Sequence, residues 1–195
     1  GVARTNVARL NPDGSLDDGF VPASGAPDWY QGVVSLTVLP DGKLLVGGRF
    51  LSERKLLCRL HPDGSLDSSF ATELTGYELA QLGVRSDGKI YAAGTFDLDR
   101  PGWYYSQLIL LNADGTIDPD FTVDFGDVGF YCFAALTVQP DDRVLVSGWF
   151  QAVNSVPRDQ VARLNPDGSL DESFDPGATL GEWYPTGDAH SMVLE

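Results

Sequence analysis

The nonapeptide RLNPDGSLD occupies residues 9–17 and returns unchanged at residues 163–171, with near-copies RLHPDGSLD at 59–67 and LLNADGTID at 110–118. Aligned on the turn aspartate, the copies place Asp13, Asp63, Asp114 and Asp167 at spacings of 50, 51 and 53 residues. A second motif alternates with the first: LPDGKLLVGGRF ends at Phe50, RSDGKIYAAGTF at Phe96 and QPDDRVLVSGWF at Phe150. Self-similarity at about 50 residues marks a repeat array, and periods of roughly 40 to 50 with several strands each are typical of β-propellers.

One unit shows the strand signals. Residues 33–39 are apolar, PDGK turns the chain, and residues 44–48 run apolar again. Residues 56–60 form a third run, HPDG turns it, and residues 65–70 make a short fourth. These are strands A, B, C and D of a four-stranded blade, joined as two hairpins. The unbroken apolar run of strand B suits a strand packed on both faces. Proline presets φ for the second position of a type I turn, aspartate tolerates the third, and glycine accepts the left-handed conformation after it. The nonapeptide is therefore a hairpin with a glycine bulge. Its last aspartate (Asp17, Asp67, Asp118, Asp171) is expected to bond nearby backbone. The phenylalanine three residues later (Phe20, Phe70, Phe121, Phe174) is expected to plug the gap between blades.

RLNPDGSLD…F followed by V.PDGKLLVGG.F resembles the bacterial delta-60 repeat, a β-propeller repeat. The resemblance covers nearly the whole chain and departs locally: Ala113 replaces proline, His61 replaces asparagine, and PDDR at 140–143 lacks the glycine. It implies an all-β propeller fold and a home in large exported or surface proteins of bacteria, and it brings no catalytic residues. The units fall at 1–27 (strands C and D), 28–76, 77–128, 129–180 and 181–195 (strand A), which reads as a single propeller-type domain or a fragment of one. Four closed blades would lack one B strand, so a piece of a larger propeller is the simpler expectation. Unpaired strand edges at its ends would invite an oligomer or a larger assembly.

Thirteen Lys and Arg against 28 Asp and Glu give a formal charge of −15. That balance argues against nucleic acid and against an anionic membrane surface, both of which require basic groups. No run approaches the roughly 18 apolar residues of a membrane span. Cys58 and Cys132 lie in apolar surroundings at unmatched places in the repeat, which points to buried free thiols.

Three kinds of chemistry were weighed. Asp13, Ser15 and Asp17 have the 1, 3, 5 spacing of a calcium loop, but position 6 holds Asp18 rather than glycine, position 12 holds Ser24, and the other copies fail likewise. No nucleophile elbow, P-loop or HExxH motif is present, and two histidines, His61 and His190, do not make a zinc site. Glycine directly follows aspartate in NPDGSLD, which is the wrong spacing for a sialidase-type box. No catalytic residue and no cofactor is expected.

The aromatic residues are distributed differently. In an up-and-down blade the A–B and C–D turns share one face, and the B–C and D–A connections share the other. Trp29 and Tyr30, Trp103 and Tyr104, and Trp183 and Tyr184 fall in those connections, with Asp28, Asp99, Glu182 and Asp188 nearby. Such rings offer contact area with a polar handle and stack on sugars. For the 29–30 and 183–184 pairs, packing between blades is an equal alternative. Trp103 and Tyr104 sit in the most divergent connection. The expectation is a non-catalytic extracellular or cell-envelope interaction or scaffold module that binds a protein partner or a glycan through this face. The alternatives are a lectin-like module, or a glycoside hydrolase or lyase using paired carboxylates of the same face.

Overall fold

The computed structural model describes residue 4 and residues 7–22, 32–48, 56–72, 74–98, 105–126 and 132–177. Those residues are all-β, with no helix among them, and they form several small antiparallel sheets. Strands β1 (Val33–Val38), β2 (Leu44–Gly48) and β3 (Leu57–Leu60) make the first sheet in the order β1-β2-β3. Strands β4 (Gly76–Val84), β5 (Ile90–Phe96) and β6 (Tyr105–Leu111) make the second. Strands β7 (Phe133–Val138), β8 (Val144–Gly148) and β11 (Val161–Leu164) make the third. A short hairpin, β9 (Ala152–Val153) with β10 (Val156–Pro157), interrupts the third between β8 and β11.

In the three units that span residues 28–180, strands A, B and C form as their apolar runs require, but strand D does not. The fourth run makes one isolated bridge per copy: Leu10 to Leu16, Leu60 to Leu66, Leu111 to Ile117 and Leu164 to Leu170. The reason lies in the motif's last aspartate. Asp67 Oδ1 accepts from the Ser69 backbone at 3.0 Å, and the Phe70 amide donates to Asp67 O at 3.2 Å, which bends the chain into a turn. The side-chain bond recurs at Asp17, Asp118 and Asp171, and the phenylalanine amide bond at Asp17 and Asp171. Each blade is thus a three-stranded sheet with a bridged, capped return.

The PDG turns have the geometry their residues demand. Gly64 donates to His61 O at 2.8 Å, His61 donates to Ser65 O at 2.8 Å, and Gly64 takes φ +90°. In the turn without glycine, Asp142 itself takes φ 63°, and its carboxylate accepts from Ser86 N at 2.7 Å and Ser86 Oγ at 2.6 Å. The strained residue therefore ties its turn to the equivalent turn of the preceding blade.

The core lies between sheets rather than inside any one. Alternate residues of the middle strand serve opposite layers, as the two-residue period of a strand dictates. Leu44 and Val46 meet Phe20, whereas Leu45 joins the next layer with Phe70, Leu79 and Leu82. Ile90 and Ala92 belong to that layer, and Tyr91 and Ala93 to the layer beyond, with Phe121, Val144 and Val146. Phe20, Phe70 and Phe121 are all buried, each beside the middle strand of the next blade, which is the plugging role their position implied. Gly47 and Gly83 sit under leucines of the next blade, so that neighbouring sheets approach closely.

Backbone bonds also cross between units. Val21 N donates to Asp63 O at 2.8 Å and Ala71 N donates to Asp114 O at 3.0 Å, so each capped return leads onto the C–D turn of the following blade. No described helix is long and apolar enough to cross a membrane.

Candidate functional site

The charged residues of the two motifs converge within each blade. The B-strand run and the C strand lie side by side, so the basic residue after the A–B turn and the arginine near the end of strand C both face the motif's last aspartate. Lys43 Nζ lies 2.9 Å and Arg59 Nε 2.8 Å from Asp67 Oδ2. Lys89 Nζ lies 2.6 Å from Asp118 Oδ2. Arg163 Nε and Arg143 Nη1 lie 2.7 Å and 3.6 Å from Asp171 Oδ2. Hydrogen bonds from Ser69 and then Lys43 hold the Asp67 carboxyl well below the usual range, and Ser173 and Arg163 bring Asp171 down to about 2. Carboxylates held this firmly ionised are poor proton donors, and their oxygens are already occupied.

The arginine does more than neutralise. Arg59 stacks over Phe70 at 4.9 Å and donates from Nη1 to Ala113 O of the next turn at 2.6 Å. Arg9 likewise covers Phe20 and donates to Pro62 O. The third copy carries Leu110 at this position. There Arg85, from the end of the A strand, donates from Nη1 to Pro166 O at 3.0 Å and supplies the missing bond. The signal for this compensation was the coincidence of an arginine at 85 with a leucine at 110, and sequence reading did not connect them.

The calcium spacing resolves into turn chemistry. Asp13 Oδ1 accepts from Ser15 N at 2.9 Å and Ser15 Oγ at 2.6 Å, while Asp17 accepts from Arg9 Nε at 2.8 Å and Gly19 N at 2.8 Å. The two carboxylates serve different partners and do not converge on a common point. Cys58 and Cys132 are buried free thiols, each pushed up to about 12 by desolvation. His61 stands half-exposed in its turn, 3.9 Å from Asp67 Oδ1.

The six aromatic candidates, Trp29, Tyr30, Trp103, Tyr104, Trp183 and Tyr184, lie outside the described residues, as do Asp28, Asp99, Glu182 and Asp188. Among the described connections there is an open cleft of about 390 Å³. Its walls are Gln151 and Pro157 to Asp159 of a B–C connection and Asp175 to Gly177 following Phe174. Arg158 is its largest cationic group. That side chain is 12% exposed, its Nη1 lies 3.9 Å from Asp175 Oδ2, and its Nε has no hydrogen-bond partner among the described residues.

The hairpin beside the cleft departs from a strict two-face division. Asn154 and Ser155, at φ 50° and 66°, make the two-residue turn between β9 and β10. Its tip reaches across to the C–D turn: Asn154 Nδ2 donates to Gly168 O at 3.1 Å, and Asn154 N donates to Asp124 O of the preceding unit at 2.7 Å. The A–B and C–D turns do share a face, with Gly42 close to Pro62 and Gly88 close to Ala113, but this B–C connection folds back towards it.

Comparison with protein families gives one match, to the family described as "Domain of unknown function (DUF5122) beta-propeller", over residues 1–20, 39–70, 85–121 and 139–174. The matched segments take in the A–B and C–D turns, strands B and C and the B–C connections between them, and leave out the A strands and the D–A connections. No curated protein matches the chain. The match spans more than half of the 195 residues, and the chain belongs to this β-propeller repeat family.

Proposed function

We propose that the chain is part of a delta-60-type propeller array acting as a non-catalytic interaction or scaffold module of the bacterial surface or exterior. In this reading a protein partner or a glycan meets the B–C and D–A connections. The observation that carries it is the contrast between motif and connection. The ion pairs of the repeated motif hold each hairpin together, and its arginine and backbone hydrogen bonds join neighbouring blades, so the repeat has a mechanical task. Gln151 and Pro157 to Asp159 of one divergent connection and Asp175 to Gly177 of the next wall the open cleft around Arg158. Binding residues are disproportionately carried by loops over a rigid scaffold.

A glycan-array screen with purified chain tests this, followed by affinity capture of proteins from the source envelope. Trp103→Ala and Arg158→Ala are the paired variants. The reading predicts a saturable ligand whose binding is lost or weakened in at least one of them, with the circular-dichroism spectrum unchanged. A ligand that binds both variants at full affinity would move the site away from these connections. Turnover of a polysaccharide with a bell-shaped pH profile would replace the reading with an enzyme.

A further inference from the structure

Seven aspartates directly precede a glycine: four in the C–D turns, Asp41 and Asp87 in A–B turns, and Asp18. The amide nitrogen after an aspartate can attack the side-chain carboxyl, because the ring it closes has five members and the attack is intramolecular. Glycine leaves that nitrogen unshielded, having no Cβ.

The hairpin pairs are clamped at both reacting groups. At Asp13 the carboxylate accepts from Ser15 N and Oγ, and Gly14 N is committed to Asn11 O at 2.9 Å. Asp63, Asp114 and Asp167 repeat this with Ser65, Thr116 and Ser169. The same hydrogen bonds hold these four carboxyls below their ordinary range, which depletes the acid form that the reaction consumes. In the A–B turns, Asp41 and Asp87 accept from Lys43 N and Lys89 N at 3.0 Å, and Gly42 and Gly88 donate to Leu39 O and Arg85 O.

Asp18–Gly19 lacks this clamp. The Asp18 carboxylate is 75% exposed and accepts no hydrogen bond among the described residues, with Arg4 Nη2 standing 3.6 Å away. The exposure belongs to the repeat, since Ser68, Pro119 and Glu172 at the same position are exposed too. Gly19 N donates to Asp17 Oδ1 at 2.8 Å, and a full negative charge polarises that N–H more than a carbonyl does. The main-chain bond that spans the pair, from Phe20 N to Asp17 O, is long at 3.3 Å.

We propose that Asp18–Gly19 is a site of aspartate isomerisation, at which the chain modifies itself without cofactor or enzyme. Gly19 N gives up its proton and bonds to Cγ of Asp18 in its acid form. The Cγ–OH bond breaks, and the hydroxyl leaves with that proton as water. Water then opens the succinimide. Addition at Cγ restores aspartate. Addition at the main-chain carbonyl breaks its bond to Gly19 N and leaves the chain running through Cγ, as isoaspartate. No mass is gained or lost and nothing is oxidised. The backbone gains one methylene between Asp17 and Phe20, which is 1% exposed in its seat beside Leu44 and Val46. Val21, bonded to Asp63 O, follows it, so the joint between the first two units loosens.

The test incubates the folded 195-residue chain at mildly acidic pH and locates isoaspartate residue by residue by electron-transfer mass spectrometry, with a urea-unfolded sample alongside. In the folded chain Asp18 should isomerise about tenfold or more faster than the turn aspartates, the factor of one hydrogen-bonded clamp that must open first. In urea all seven should react alike. Ser69 and Ser173 hold the position of Gly19 in their units, so Gly19→Ser keeps the fold and should suppress the signal at Asp18. Its melting temperature should stay constant on incubation while that of the parent chain falls. Equal rates at Asp18 and the turns in the folded chain would overturn the proposal. So would an Asp18 that stays intact while the unfolded chain reacts, or undiminished isoaspartate in Gly19→Ser.

Discussion

The four C–D turn glycines provide a matched experiment on how the repeats are held together. Gly14, Gly64, Gly115 and Gly168 occupy the same motif position, at φ +82°, +90°, +95° and +91°. Alanine at any of them incurs the left-handed strain of an L-residue, about 1–2 kcal/mol. The surroundings differ. A Cβ on Gly14 has nothing within 4 Å. On Gly115 it would stand 3.0 Å from the Phe70 ring, which can yield. On Gly64 it would stand 2.7 Å from the Val21 carbonyl carbon, and on Gly168 it would collide with Thr122 O, both backbone of the preceding unit. Overpacking against backbone adds about 1–3 kcal/mol. Gly14→Ala should therefore cost about 1–2 kcal/mol, while Gly64→Ala and Gly168→Ala cost roughly 2–5 kcal/mol and Gly115→Ala falls between. Urea unfolding followed by tryptophan fluorescence and circular dichroism reads these as midpoint shifts at constant slope. Equal costs at all four positions would refute the claim that these turns are inter-blade contacts.

Other outcomes follow from the same architecture. Phe121→Ala, which empties the layer between the second and third sheets, should destabilise by about 3–5 kcal/mol, whereas the half-buried Phe174 should lose less. Asp17, Asp67, Asp118 and Asp171 are all held below their ordinary value of 3.8. The unfolded chain therefore takes up protons first, so their contribution is complete above about pH 5, begins to fall near 4 and is lost as pH drops through the lower folded values, about 2 for Asp171. A melting-temperature series should show this, and Asp67→Asn should flatten it. Cys58 and Cys132 should resist a thiol reagent at pH 8 in folded protein and react once denaturant is added, since their thiols ionise near 12. Millimolar calcium should leave the melting temperature unchanged, because Asp13 and Asp17 are committed to Ser15 and Arg9.

The legible parts of the fold were those set by local chemistry. Proline, aspartate and glycine in succession determine a turn wherever they fall, and the φ of each PDG glycine agrees. Strand D was not legible because a hairpin turn ahead of residues 65–70 implies a returning strand, while the hydrogen bonds of Asp67 that bend it depend on backbone two residues on. The Lys43–Asp67–Arg59 group was invisible because its members are separated in sequence and meet only when β2 and β3 pair in register. The β9–β10 hairpin had a readable turn in Asn154–Ser155, but its fold-back to Gly168 is tertiary. The cleft at Arg158 is not legible in the sequence for the same reason: its walls come from two connections.

Native-state hydrogen exchange at Val21 and Ala71 tests the central claim most directly, because their amides bond only to the C–D turn of the next unit. If the repeated motif joins blade to blade, both exchange slowly, at rates that follow the opening of the neighbouring sheet as denaturant rises. If they exchange as freely as unstructured peptide while β5 stays protected, the motif is an ordinary surface hairpin and the account is wrong.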